Sequence, residues 1–230
     1  MKVRNFLIRS CNSIGNLAET KNWKTKYMIA YILSNDLDEE SLNQYQNECP
    51  FIIVRNFNTT KQPDFFEDLL EYRWKPVIVE EVLKEVENVF YFDAGIVFHE
   101  DTNGSIMDIV RKSDSNICGV RFFDDSGHSI IFATHPKMIQ YFNVSEDAAK
   151  KMKMIGASAF IISRKAEEIV KKWKQCALDK EICMAPKGSN IGCGCSECRR
   201  KNTYANCHRF DQSAISIITL QQCSSNFSDF

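Results

Sequence analysis

The chain lacks an excess of charge of either sign. Its 29 lysines and arginines meet 30 aspartates and glutamates, for a formal net charge of −1. That balance excludes a polybasic nucleic-acid surface and an acidic tail, so no nucleic-acid partner is expected. Long apolar runs are missing as well. The longest, such as Tyr27 to Leu33, fall far short of a bilayer-spanning helix, and no membrane span is expected within the chain. Lys2 and Arg4 precede Phe6-Leu7-Ile8, a stretch too brief for an export signal, so any leader or anchor is expected either elsewhere or not at all. There is no internal repeat and no convincing domain boundary. The length suits one full core, and residues 1–230 are read as a single domain.

Cysteine, by contrast, is plentiful. Six of the ten cysteines fall between Cys176 and Cys207, a density that suggests local cross-linking over scattered core thiols. Acceptor sequons stand at Asn58, Asn103, Asn143 and Asn226, about half of which chance alone supplies in a chain this rich in Asn, Ser and Thr. Together these features point to a secretory-pathway lumen (Golgi or ER) or the extracellular space. The alternative is the cytoplasm, since neither a signal peptide nor a transmembrane segment is legible.

Apolar and β-branched runs predict strands at Phe6–Arg9, Tyr27–Leu33, Phe51–Val54 and Val89–Phe92, the third covered on both faces. Further strands are expected near Ile117–Phe122, Ser129–Ala133 and Ala157–Ile162. Helical spacing marks Leu37–Asn47, Pro76–Val86, Ser105–Lys112, His135–Phe142 and the amphipathic Lys165–Leu178. Residues 185–203, rich in Gly, Cys and basic side chains, read as a loop. Alternating strands and helices indicate an α/β fold with a largely parallel central sheet flanked by helices.

Polar residues concentrate in Asn206-Cys207-His208-Arg209-Phe210-Asp211-Gln212-Ser213, just before the apolar run Ile215–Leu220. Such density at the entrance to a buried element is costly unless the groups are paired or used. Two readings fit: a site, or a helix starting at Gln212 with Asp211 as its cap. Asp93, at the carboxyl end of a predicted central strand, stands where open α/β sheets place ligands, and its carboxylate suits a divalent cation; a turn aspartate is the alternative. Arg73 and Lys75 flank Trp74 at a helix start, which suits a phosphorylated ligand or merely a surface helix start with Trp74 in the core. Gly156, Ala157 and Ser158 precede an apolar strand, permitting close approach of a ligand or tight packing. Cys193, Cys195, Cys198 and Cys207 offer a zinc knuckle as the alternative to disulfides.

In this order, Trp74-Lys75-Pro76, Tyr91-Phe92-Asp93-Ala94-Gly95, Gly156-Ala157-Ser158-Ala159-Phe160 and His208-Arg209-Phe210-Asp211-Gln212-Ser213 resemble GT-A-type glycosyltransferase-like domains. The likeness is strongest to an uncharacterised, nematode-rich family of nucleotide-diphospho-sugar transferase-like domains with WKP, YxD and YANCHRxDQS motifs, and runs from about Tyr27 to Leu220. A more distant similarity reaches the glycogenin-like transferases, with a slight lean towards retention of configuration. The resemblance implies a GT-A-like (Rossmann-like) domain that moves a sugar from a nucleotide diphosphate to a glycan or protein hydroxyl, assisted by Mn2+ or Mg2+. Asp211 and Gln212 take the catalytic positions beside the donor sugar. Arg73, Lys75, Asp93, Gly156, Ala157, Ser158, His208 and Arg209 are expected at donor-binding positions; Asp93 matches the first aspartate of the metal-binding DxD motif, and His208 is expected as a further metal or phosphate contact from its proximity to Asp211 alone. The resemblance also implies cross-linking among Cys176, Cys183, Cys193 and Cys207. Two departures stand out: Gly95 replaces the second carboxylate of the DxD motif, and Ser13–Trp23 leaves little room for a nucleotide-binding loop and helix. They motivate the alternative of an inactive glycosyltransferase-like glycan-binding or scaffold domain.

Overall fold

Runs of apolar and β-branched residues make strands of Met28–Leu33 (β1) and Ile52–Phe57 (β2), which pair in parallel with Met28 opposite Ile52 and Leu33 opposite Phe57. Parallel neighbours need a crossover, here the helix Glu39–Glu48 (α1). Asp38 caps it by accepting the Ser41 N–H at 2.7 Å, and Glu39 and Glu40 in the first turn complement the helix dipole. Tyr45, Cys49 and Ile52 form the core of this βαβ element, with Met28, Ala30 and Val54 against it. Burial pushes the Tyr45 phenol up to about 12. Coverage of both faces does not extend to Phe51 and Ile53, which are exposed.

The computed structural model describes residues 28–33, 37–97 and 118–223. The predicted strand Phe6–Arg9, the helix Ser105–Lys112, the short segment Ser13–Trp23 and the sequons at Asn103 and Asn226 lie outside them. The chain divides into two compact units, one of Met1–Gln62 with Phe92–Lys112 and one of Pro63–Tyr91 with Ser113–Phe230. The βαβ element belongs to the first unit, as does Asp93.

The second unit runs through helix Trp74–Leu83 (α2), strand Asn88–Phe92 (β3, whose last residue falls in the first unit), strands Val120–Phe122 (β4) and Asp125–Ser129 (β5), and helices Pro136–Tyr141 (α3) and Glu146–Lys151 (α4). It continues with strands Lys153–Ile155 (β6) and Ala159–Ser163 (β7), and helices Glu167–Leu178 (α5), Ser196–Lys201 (α6) and Phe210–Cys223 (α7). The fold is thus mixed α/β. Among the described residues the strands lie in small sheets: β1-β2, β3-β7-β4 and β5-β6, with β4–β7 and β5–β6 antiparallel.

The predicted strand Ser129–Ala133 is a correction. Ile131–Ala133 is a 3-10 turn, and the strand is the polar Asp125–Ser129. An apolar run this short cannot be told from a buried turn by periodicity. In β5 the register shifts between Asp125 and Ser129 around Gly127, whose φ of 64° places it in the left-handed region. The loop predicted at 185–203 contains α6, capped through the Cys195 sulfur, which accepts the Cys198 N–H.

Helix α5 shows why the core sits where it does. Ile169, Val170, Trp173, Cys176 and Ala177 are buried on one face, while Lys171 on the other pairs with Glu167 and Glu168. Fully burying a side chain as large as Trp173 stabilises by about 2–3 kcal/mol or more before entropy. Its ring meets Phe160 of β7 edge-on at 5.9 Å, and Phe160 in turn stacks on Tyr91 of β3 at 4.9 Å. Helix α7 is buried almost all round, as befits a helix threaded through the core.

Disulfides join Cys118 to Cys223, Cys176 to Cys183, Cys193 to Cys207 and Cys195 to Cys198. Cys49 is also disulfide-bonded. All four sulfurs of the alternative zinc knuckle are therefore engaged in two of these cross-links. Such density matches an oxidising, secreted-type environment. Among the described residues, no helix is long and apolar enough to cross a membrane.

Candidate functional site

Lys75 opens the site. It stands in the first turn of α2, only 3 % exposed, and its Nζ lies 2.8 Å from Asp211 Oδ2. The same ammonium donates to the Ala157 carbonyl at 3.1 Å. Three rings surround it, with centroids at 5.2 Å for Tyr91, 5.4 Å for Tyr72 and 5.8 Å for Trp74. A cation removed from water this fully is held by the carboxylate, one carbonyl and the negative faces of the rings. Trp74 is half-buried and donates its indole N–H to Leu69 O.

Asp211 sits inside helix α7, which begins at Phe210, so it is no helix cap. Its side chain is buried against Lys75, and its carbonyl accepts the Trp173 indole N–H at 3.1 Å. Both helices of the site start from strained backbone. Tyr72 has φ 56° and Phe210 has φ 42°, values costly for bulky side chains. The two rings lie 6.4 Å apart, so the strained residues meet each other beside the ion pair. Strain of about 1–3 kcal/mol per residue persists only where surrounding structure enforces it, and it concentrates at functional sites.

Gln212 continues the cluster. Its amide donates to Ile155 O at 2.7 Å and to the Ser126 hydroxyl. Ser216, one turn on, accepts the Ile155 N–H and donates to Gln212 O, tying α7 to β6. Gly156 N–H donates to Asp124 O at 2.7 Å, and a Cβ on Gly156 would stand 3.1 Å from that oxygen. Ala157 contributes its carbonyl to Lys75, whereas Ser158 is exposed.

Arg73 is also buried, but it faces another way. Its Nε donates to Glu71, Nη1 to the carbonyls of Ala177 and Asp179, and Nη2 to Lys180 O. The guanidinium thereby caps the C-terminus of α5, a role its fork of donors suits, and it also lies over the Phe65 ring at 4.6 Å. Asp179 completes this corner by accepting the N–H groups of Glu181, Ile182 and Cys183. Burial works against the Asp179 carboxylate, yet those three donors and Arg73 hold it below the usual carboxylate range. In the sequence, an aspartate just after a helix carries no mark that separates this role from an ordinary loop residue.

His208 is fully buried. Its Nδ1 accepts the His135 N–H at 3.1 Å, so Nε2 carries the proton and donates to Met184 O at 2.9 Å. Burial drives its pKa down to about 4, against the help of the Met184 carbonyl and with a small push from His135. Both ring nitrogens are occupied by backbone, which leaves no lone pair for a metal. Arg209 is half-buried, with its N–H on Ala133 O. Asp93 is half-buried at the end of β3, where its carbonyl accepts the Ile96 N–H. Among the described residues, no three His, Cys, Asp or Glu side chains group as a metal shell.

Within the second unit the structure therefore brings together Lys75, Ala157, Asp211 and, one residue on, Gln212. Arg73 and His208 are buried at separate backbone anchors. Tyr72 and Tyr91 complete the cage, and nothing in their spacing marks them as ring contacts to an ammonium.

Comparison with known proteins adds one finding. A family model described as Protein of unknown function (DUF1647) matches residues 3–80, a span that includes Arg73 and Lys75 and stops short of Asp211. No curated protein and no solved structure matches the chain.

Proposed function

We propose that this protein is a GT-A-like glycosyltransferase domain that moves a sugar from a nucleotide-diphosphate donor to a hydroxyl acceptor on a glycan or protein. The observation that carries the reading is the buried pair of Lys75 and Asp211, roofed by Ala157 O and flanked by two left-handed aromatic residues. Three segments far apart in sequence converge there. Replacing a buried ion pair by apolar groups is often neutral or stabilising, so its presence beside strained backbone favours use over mere stability. In the proposed reaction the Lys75 ammonium fixes the orientation of the Asp211 carboxylate, which positions the donor sugar, and Gln212 lines the adjoining backbone of β6. A divalent ion, Mn2+ or Mg2+, would neutralise the leaving diphosphate when bound. Of the two ligands expected for it, His208 does not fit, because both ring nitrogens bond to backbone, and Asp93 belongs to the first unit.

A specific observation favours a second reading, a glycosyltransferase-derived glycan-binding or scaffold domain without turnover. Arg73 and His208, expected on the donor, use their polar atoms on backbone carbonyls and amides. Thermal-shift measurements with UDP, GDP and CMP, with and without manganese, followed by donor hydrolysis assays, separate the two. The transferase reading expects nucleotide-dependent stabilisation and hydrolysis that Asp211→Asn abolishes while the variant still shifts with nucleotide. Glycan binding indifferent to nucleotide and metal supports the second. Neither binding nor hydrolysis across the panel, with Asp211→Asn unchanged, removes the first.

A further inference from the structure

We propose that Asn58 carries an N-linked oligosaccharide. This assignment is independent of the transferase reading and rests on three observations. First, the Asn58-Thr59-Thr60 sequon lies just after β2, and both Asn58 and Thr60 are exposed, so the fold has room for a bulky hydrophilic chain at this point. Second, the sequon already has a reactive arrangement. The Asn58 Oδ1 accepts the Thr60 N–H at 2.9 Å and the Thr60 hydroxyl at 2.6 Å. Both bonds fall on the carbonyl oxygen and polarise the amide; neither consumes the nitrogen that takes the sugar. Third, the disulfides require an oxidising compartment, the same compartment in which sequons meet their donor.

The step is a glycosyl transfer from a lipid-pyrophosphate-linked oligosaccharide. A bond forms between Asn58 Nδ2 and the anomeric carbon, and the bond from that carbon to the pyrophosphate oxygen breaks. The lipid pyrophosphate leaves with the bonding pair, and the amide loses one proton. No electron is gained or lost.

Asn143 provides an internal comparison. It too is exposed, but with φ 51°, and its sequon hydroxyl, Ser145 Oγ, accepts the Ala148 N–H at the start of α4 rather than contacting the asparagine. The test is to direct the full chain through the secretory pathway of a eukaryotic host. The secreted, disulfide-bonded protein is then digested and mapped by mass spectrometry before and after enzymatic glycan release. The expectation is a glycopeptide at Asn58, converted to aspartate on release, with occupancy above that of Asn143. Asn58→Gln and Thr60→Ala each remove one mobility step on a gel, while Thr60→Ser retains it. The Thr60 variants leave Asn58 in place, so loss of the Asn58 cap cannot mimic the result. An unmodified Asn58 in secreted protein, or occupancy at Asn143 without Asn58, overturns the assignment.

Discussion

Removing the charge from one side of the Lys75–Asp211 pair tests the core of the site. Lys75→Met leaves the Asp211 carboxylate in a place only 4 % exposed, without its counter-ion at 2.8 Å. Breaking a buried pair from one side costs about 3–5 kcal/mol, because the stranded charge is the expensive species. Asp211→Asn strands the ammonium instead, although the Ala157 carbonyl and the three rings soften the loss. Two independent losses would sum to roughly 6–10 kcal/mol, but the double variant contains no stranded charge. Its expected cost is about that of one single variant, giving a coupling of about 3–5 kcal/mol. Urea denaturation at pH 7 without reductant, followed by tryptophan fluorescence, to which the buried Trp173 contributes, measures all four proteins. In a thermal scan of the same set, at about 2–4 °C per kcal/mol, each single variant should melt roughly 6–20 °C below the parent. Single variants within about 1 kcal/mol of the parent, the range of solvent-exposed pairs, would refute the picture of a dry ion pair. So would strict additivity.

Arg73→Lys keeps the charge but loses the fork that caps α5, and it should cost about 2–4 kcal/mol by the same denaturation assay while leaving any nucleotide-induced thermal shift intact. For His208, the folded pKa of about 4 lies below the ordinary 6.5, so the neutral ring favours the fold. Both states are neutral well above pH 6.5; as pH falls from 6.5 towards 4 the unfolded chain binds the proton first and stability drops. The loss levels off below the folded pKa at about 3 kcal/mol. Urea midpoints from about pH 7 to 4 should therefore fall more steeply for the parent than for His208→Asn, and parallel curves would count against a buried neutral imidazole.

Much of the fold is legible in the sequence where burial leaves a period. Helix α5 and the strands β1, β2, β3 and β7 follow from apolar spacing, and their ends differ by a few residues. Strand β5 is invisible to such a reading because Asp125-Ser126-Gly127-His128-Ser129 is polar and leaves no apolar period to read. Sheet sense is equally hidden, since antiparallel β4–β7 depends on chain path and not on composition. At the site, density of polar groups points to the Asp211 helix, and two cations flanking Trp74 at a helix start point to Arg73 and Lys75 alike. Composition does not reveal which polar groups face each other. Lys75 and Arg73 are two residues apart near the start of one helix, yet one meets Asp211 and the other the end of α5. That difference is set by partners at least 104 residues away along the chain, a distance over which no local period speaks.

The bond from Cys118 to Cys223 joins positions 105 apart in sequence, closing a ring that contains β4, α5, the cysteine-rich stretch and all of α7. A protease that cuts once within that ring opens it without releasing a fragment. Such a molecule keeps its mass on a non-reducing gel, and the cut shows only when thiol is added. Damage to exposed segments such as 187–192 would then pass unnoticed in routine handling, while Lys75 and Asp211 stay covalently on the same molecule.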